Sequence, residues 1–428
     1  MSYTQNNQNL QPTLAGSFYI KIKEESKEMA TGDQTFVNIP RETTMQDIAQ
    51  ALQTMALTQS ADLQKISTWA QLSRLSRNGI ARKIFDFGDQ ILEKWTDTVA
   101  NNKEYDFPWH ITHFDTAELE NGENIEGTFL EAHYATPFGV QFSNRAFLRC
   151  PDGLTAGIYN VTLGANWGNK DAQKDTTWQF TLTKAVPAGG SVAGFTQMPD
   201  KAASEWKATS YAADGITKIE TVPITSGSGG TSLGIMQYAT RNGNLNSMQE
   251  SGYGWNRWKY SAARQWLNSD RPKGKWWTKQ DDWDIAPDQL ATKDGFLCGL
   301  PADMVAVLKP IKAITLTNTV NDGGVTDVTY DKVFLASMSQ MNVNMSKEEG
   351  TVHEYWQRRT GSSKPIEPWK QYPCMIRYSA ANHTSPQYVF SRSAYQGVAY
   401  GVMHTGADGN VGSAYAWYAN TYAPLVFI

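Results

Sequence analysis

Two segments alternate apolar and polar residues with a period of two, and nothing else in the sequence restricts the fold as tightly. In GIYNVTLG (Gly157 to Gly164), Tyr159, Val161 and Leu163 share one side; in TWQFTLTKAV (Thr177 to Val186), Trp178, Phe180 and Leu182 do the same. Successive side chains of a strand point to opposite faces, so this period belongs to half-buried strands and not to helices. PDG, NWGN and PAGG supply turns. Charged helical stretches are few between Ile84 and about Gln197, so a β-sandwich or jelly roll is the economical architecture for residues 81–224. Lys201 to Ile224 adds strand-like segments, and TSGSGGTS (Thr225 to Ser232) is the clearest Gly/Ser break. It reads as the start of a linker over residues 225–252.

The flanks have a different texture. Residues 1 to about 16 are rich in Asn and Gln and read as a disordered or partner-ordered arm. SFYIKIKEE (Ser17 to Glu25) alternates well enough for one strand. From Thr44 to Asn78 the pattern is helical, with Thr44 and Asp47 as a capping-box-like start and Gly79 as a stop. Met45, Ile48, Leu52 and Met55 step by three and four, and Leu63, Ile66 and Trp69 resume after Gln59. Two packed helices or a short coiled coil between subunits both fit, so residues 1–80 read as an attachment and oligomerisation segment. Beyond residue 252 a short helix near Ser261 to Leu267, a second at Leu300 to Pro310, and the strands KAITLT and YDKVFLAS make an α+β domain over 253–428. The fold class is therefore multidomain and mainly β, with a helical amino-terminal segment.

At 428 residues the chain is long for one core. Fifteen tryptophans and nineteen tyrosines are an unusual density, typical of β-rich domains and contact surfaces. A net charge of −4 with no basic stripe gives no footprint for nucleic acid. Cys150, Cys298 and Cys374 lie far apart and form neither a disulfide framework nor a CxxC pair, and read as buried reduced thiols. The amino terminus lacks the basic start and apolar core of a signal peptide, and no apolar run approaches the ~20 residues of a membrane span. Synthesis in a cytoplasm without membrane insertion is expected.

The last 41 residues hold six tyrosines, Trp417, seven alanines and five glycines, against one base, Arg392, and one acid, Asp408. Tyr offers large amphipathic area at small rotamer cost, and Ser, Gly and Asn add adaptable hydrogen bonding, which suits a contact surface. A buried tyrosine-rich meander fits the same composition. Catalysis needs tuned titratable groups, and this stretch is nearly empty of them. No nucleotide-binding, zinc-protease, EF-hand or nucleophile-elbow motif is present. His110 and His113 in PWHITHF sit three apart, which on a regular strand puts them on opposite faces and out of reach of a shared metal. His353, His383 and His404 stand alone. The acids of FDTAELENGENIEG read as a charged turn, although a catalytic carboxylate pair is not legible from sequence and a hydrolase stays open. The expectation is no catalytic residue, no metal and no cofactor.

The order of segments in the carboxyl-terminal half carries a resemblance. ARQWLN (Ala263 to Asn268) is followed by GFLCGLPADMVAVLKP, YDKVFLAS (Tyr330 to Ser337), VHEYWQ, and YVFSRSAYQGVAYGV…NTYAPLVFI. This order resembles the C-type-lectin-fold domains of phage and bacterial surface proteins, related to the formylglycine-generating-enzyme fold. Several members are variable proteins of diversity-generating retroelements, including phage tropism determinants. The resemblance covers roughly residues 253–428. It implies a framework at Ser391, Arg392, Ser393, Ala394, Gly409, Ala423 and Pro424. It implies ligand contacts at Tyr395, Gln396, Val398, Tyr400, His404, Ser413, Tyr415, Tyr418, Asn420 and Tyr422. Most of these residue types are reachable from an Asn codon by adenine mutagenesis, Gln396 least well; Trp417 is not, and goes with the framework.

The paired cysteines of formylglycine-generating enzymes and the calcium tripeptides of sugar-binding animal lectins have no counterparts, which disfavours oxidase chemistry and calcium-dependent sugar binding. The middle region, including YDFPWHITHF and CPDGLTAGIYNVTLGANWG, is similar to segments that accompany this domain in phage structural proteins. Together these imply a phage or prophage receptor-binding adhesin on the virion surface, made in the bacterial cytoplasm. It would be a trimer held to other virion proteins by its amino-terminal region and would bind a host cell-surface protein or glycan. A structural virion protein, such as a capsid decoration or head fibre, is the alternative, and a glycan depolymerase a third.

Overall fold

The computed structural model describes residues 68–143, 147–163, 175–194, 203–236, 249–250, 255–280 and 284–428. The expected arm, the Ser17–Glu25 strand and the helical pattern up to residue 67 lie outside these. The described chain is mainly β, with curled sheets and short helices.

The first described helix is Trp69–Arg77, inside the expected helical stretch. Thr68 caps it, its hydroxyl accepting from the Gln71 N–H at 3.2 Å. Trp69, Leu72 and Leu75 form its buried stripe. Gly79 follows at φ +64°, the left-handed conformation that ends helices at little cost to glycine. Ser261 likewise caps Ala262–Leu267, accepting from the Arg264 N–H at 3.0 Å. The helix expected at Leu300 to Pro310 is shorter, Ala302–Val307, ending ahead of its proline.

The period-two segments are strands. Gly157–Leu163 and Thr177–Leu182 pair antiparallel within an eight-stranded sheet. Tyr159, Val161, Leu163, Phe180 and Leu182 point into one core with Leu148, Trp206 and Ile224. Trp178 packs edge-on against Trp206, ring centroids 4.4 Å apart. Burying side chains of this size contributes roughly 2 kcal/mol each, and that favours this register over a slip by one residue.

The Gly/Ser segment does not behave as a linker. Thr231–Met236 returns to the edge of that sheet and pairs parallel with Gly157–Leu163. Between the two strands the side-chain amide of Asn160 donates to the carbonyls of Ser228, Gly229 and Gly230, each at 3.3 Å. A Cβ on Gly230 would lie 2.2 Å from the Ile158 carbonyl oxygen, so glycine is there for close approach. The glycines signalled tight packing, which composition alone does not distinguish from flexibility.

A second departure concerns the boundary near residue 224. A five-stranded sheet runs in the order Gln90–Ile91, Trp109–Glu118, Asn124–Ala132, Pro424–Phe427, Val333–Leu335, with every pair antiparallel. Its first three strands come from the region assigned to the 81–224 domain and its last two from the 253–428 domain. Pro424–Phe427 is fully buried between them. The carboxyl-terminal meander is as expected: Val389–Ala394, Gly401–Thr405 and Val411–Tyr415 run antiparallel, and Thr421–Tyr422 returns parallel beside the first.

Candidate ligand-binding face

The turn between Val389–Ala394 and Gly401–Thr405 is held from below. Asn256, fully buried, donates from its amide nitrogen to the carbonyls of Tyr395, Val398 and Gly401 at 3.2, 2.8 and 2.7 Å. Asn318 in turn donates to the Asn256 Oδ1 at 2.9 Å and to Asp322 at 2.6 Å, and Trp255 Nε1 donates to Asp322 at 2.8 Å. A buried polar network with its members satisfied rigidifies what it holds. Here it fixes the backbone that carries Tyr395, Gln396, Val398 and Tyr400.

From that turn aromatic rings run in sequence over the outer side of the meander. Tyr400 lies 5.5 Å from Tyr415, and Tyr415 lies 5.2 Å from Tyr418, the latter pair edge-on. Trp417 packs 4.8 Å from Tyr418. Gly401, paired across the ladder with Tyr415, joins these rings to Tyr395: a Cβ there would be 3.4 Å from both the Ser413 hydroxyl and the Tyr395 Cβ. Tyr395 meets Trp369 edge-on at 5.0 Å. Edge-on and tilted pairs at these separations are the favoured aromatic geometries.

The ten residues expected to contact ligand divide cleanly. Tyr395, Gln396, Val398, Tyr400, Ser413, Tyr415 and Asn420 are partly exposed, and Tyr418 is exposed. Tyr422 is not on the surface at all. It is fully buried, its hydroxyl donating to the Val140 carbonyl at 2.5 Å and its ring 6.0 Å from Trp266. Its strand is the edge strand beside Val389–Ala394, and the segment around Thr136 and Val140 covers it there, the Tyr422 N–H donating to the Thr136 hydroxyl at 3.1 Å. His404 is also interior, 6% exposed, and burial holds its pKa down at about 4. Neither residue presents its side chain at the surface, contrary to the expectation of a contact.

Arg392 is interior. Its guanidinium is buried and donates to the carbonyls of Leu335, Ile314 and Glu349 and to the Gln340 side chain. Trp369 was not picked out from sequence, although it is 52% exposed and sits at φ +65° beside the edge strand, its N–H donating to the Val411 carbonyl. Its signal was a lone tryptophan in a polar, proline-flanked stretch, EPWKQYP. Tyr388, 52% exposed, lies 5.4 Å from His404 and extends the face.

The histidine pair required a correction. Ile111 pairs with Leu130 and His113 with Phe129, leaving Thr112 as an extra residue in the strand. That bulge puts His110 and His113 on the same side, not opposite sides. They still reach different partners. His110 lies 3.6 Å from Glu131, whose other oxygen is 2.8 Å from Arg377 and which also accepts from Trp356 Nε1 at 3.0 Å. His113 hydrogen-bonds Glu354 through Nδ1. Burial pushes the His110 pKa down to about 4. Among the described residues no group of three or more His, Cys, Asp or Glu is arranged to hold a metal ion. Of the thiols, Cys150 is buried, while Cys298 and Cys374 are partly exposed, and all three are free.

A family model described as "Domain of unknown function (DUF6273)" matches residues 232–424, from the strand after the Gly/Ser segment to the start of the last strand. No curated protein and no solved structure matches the chain.

Proposed function

We propose that the chain is a receptor-binding adhesin of a phage or prophage, and that the aromatic face of its carboxyl-terminal meander contacts a host cell-surface protein or glycan. The observation that carries this reading is the run Trp369, Tyr395, Tyr400, Tyr415 and Tyr418, partly exposed to exposed, on a turn fixed by Asn256. Rigid aromatic anchors set among Ser, Gly, Gln and Asn are the composition of recognition surfaces. Preorganisation by Asn256 lowers the entropy lost on binding. The resemblance of residues 253–428 to C-type-lectin-fold variable domains supports the same assignment. In this reading the eight-stranded unit is a sandwich- or jelly-roll-like spacer, and the amino-terminal region joins copies into a trimer on the virion. Weak contacts would then gain avidity through simultaneous engagement. The mechanism is binding without chemistry.

The test is adsorption of the fluorescently labelled full chain to a panel of intact bacterial strains. At least one strain binds saturably, and Tyr400→Ala, which truncates a partly exposed ring, reduces that binding at least tenfold. Absence of binding to every strain, or undiminished binding by the folded variant, contradicts the proposal.

A further inference from the structure

A cleft of about 270 Å³ opens elsewhere, between the strand Trp109–Glu118 and the strand Ile311–Leu316. A single bridge between Leu119 and Ile311 closes one end, and the two strands diverge from it. The floor is apolar: Phe129, Phe334, Ile311 and Ile314, the two rings perpendicular at 6.4 Å. His353 forms a wall, its ring stacked on His113 at 4.9 Å.

The charges that line this cleft are already matched. Lys312 pairs with Glu118 at 2.8 Å, and His113 is held by Glu354. Asp115 lies 3.5 Å from the second nitrogen of His113 and accepts from the Thr116 N–H. The Glu349 carboxyl, whose pKa burial pushes up, accepts from the Leu316 N–H at 2.9 Å and from the Ser393 hydroxyl. Arg392 is spent on carbonyls and Gln340. An ionic ligand would meet no unpaired countercharge, and burying it would be costly.

Neutral hydrogen-bonding capacity does remain. The Thr112 hydroxyl lies 2.9 Å from His353 Nδ1 and 3.3 Å from the Phe129 carbonyl oxygen, hydrogen-bonding the ring through Nδ1. Nδ1 is thereby engaged, which leaves His353 Nε2 with no partner among the described residues, on a ring 1% exposed that burial keeps neutral. Gln340 uses its carbonyl oxygen on Ser337 N–H and Arg392, and its amide nitrogen makes no bond to a described residue. The Thr351 hydroxyl stands at the mouth.

We infer that this cleft, lined by His353, Gln340, Thr351 and the Phe129–Phe334 floor, is a binding site for a single uncharged, hydroxyl-rich ring of monosaccharide size. An apolar floor with an unpaired imidazole nitrogen and an amide donor above it complements a ring with one C–H face and hydroxyls, which both donate and accept, around its rim. The volume lies just under the range typical of drug-sized ligands, which suits one ring and excludes a chain buried along its length. The site is separate from the aromatic face and does not depend on the adhesin reading.

Ligand-observed saturation-transfer NMR on the full chain tests this, with D-glucose, D-galactose, D-mannose and N-acetyl-D-glucosamine as neutral probes and inorganic phosphate and acetate as ionic ones. At least one neutral sugar gives a saturable signal, and the ionic probes give none. Thr351→Trp, a change at an exposed position, fills the mouth and weakens the sugar at least tenfold, while Tyr400→Ala leaves it unchanged. Silence from every neutral sugar overturns the inference, as does binding of the ionic probes alone. Sugar binding that survives Thr351→Trp but is lost in Tyr400→Ala would place the site on the aromatic face and overturn it equally.

Discussion

His110 and His113 face the same side of the central sheet, opposite Glu131 and Phe129, because Thr112 stands between them as a residue with no cross-strand partner. The bulge sends one ring to Glu131 and the other to Glu354, and it aims Thr112 at His353. One inserted residue thus organises two neighbouring histidines and a third, His353, from a distant part of the chain.

Deleting Thr112 would remove the bulge while keeping Ile111 opposite Leu130 and His113 opposite Phe129, and would take away the hydroxyl that meets the buried His353 Nδ1. We expect a loss of roughly 2 kcal/mol, because the His353 Nδ1 is left buried without its partner. Urea unfolding followed by tryptophan fluorescence measures it; a loss below about 1 kcal/mol would show that the bulge is dispensable.

The buried histidines set the acid stability. His110 titrates at about 4 in the folded chain, pushed down by burial, against about 6.5 when unfolded. The unfolded state therefore binds more protons between those values, and stability falls as pH drops from 6.5 to 4, by roughly 3 kcal/mol for this residue. His404, also held down at about 4 by burial, adds to the same window. Glu131 reinforces it from the carboxylate range: burial would raise its pKa, but Arg377 and His110 outweigh that and hold it low. Urea midpoints at pH 7, 5.5 and 4 should fall steadily. His404→Asn should flatten the slope, and an identical slope in that folded variant would remove His404 from the account.

Asn256→Ala leaves the carbonyls of Tyr395, Val398 and Gly401 without their shared donor. An unsatisfied buried acceptor costs about 1–3 kcal/mol, so a loss of roughly 3 kcal/mol is expected for the group. Hydrogen exchange of the amides from Tyr395 to Gly401 should accelerate at least tenfold. Unchanged protection in that turn would show that Asn256 does not position it.

What could be read from the sequence followed local periodicity. Tyr159, Val161, Phe180 and Leu182 declared their strands because one face of each is buried, and the short helix expected near Ser261 to Leu267 is present as Ala262–Leu267. The bulge at Thr112 was invisible, since it exists only relative to the register of the opposite strand. The Gly/Ser stretch at 227–230 was misread for a similar reason: glycine serves flexible chain and close packing alike, and Asn160 decides between them. Tyr400 and Tyr422 sit in nearly the same local composition. One lies on the outer side, whereas the other fills the space beneath Val140 and Trp266, which come from remote parts of the chain. Trp369 escaped notice because nothing near it in sequence repeats the tyrosine pattern.

The aromatic face is the central claim, and the most direct measurement is equilibrium binding to a strain that adsorbs the unmodified chain. Trp369→Ala and Tyr418→Ala both truncate exposed side chains, so each should change the urea midpoint by the equivalent of less than about 0.5 kcal/mol. Each should nevertheless weaken adsorption at least tenfold, while Thr351→Trp at the remote cleft leaves it within twofold. Adsorption by both folded ring variants equal to that of the unmodified chain would contradict the account.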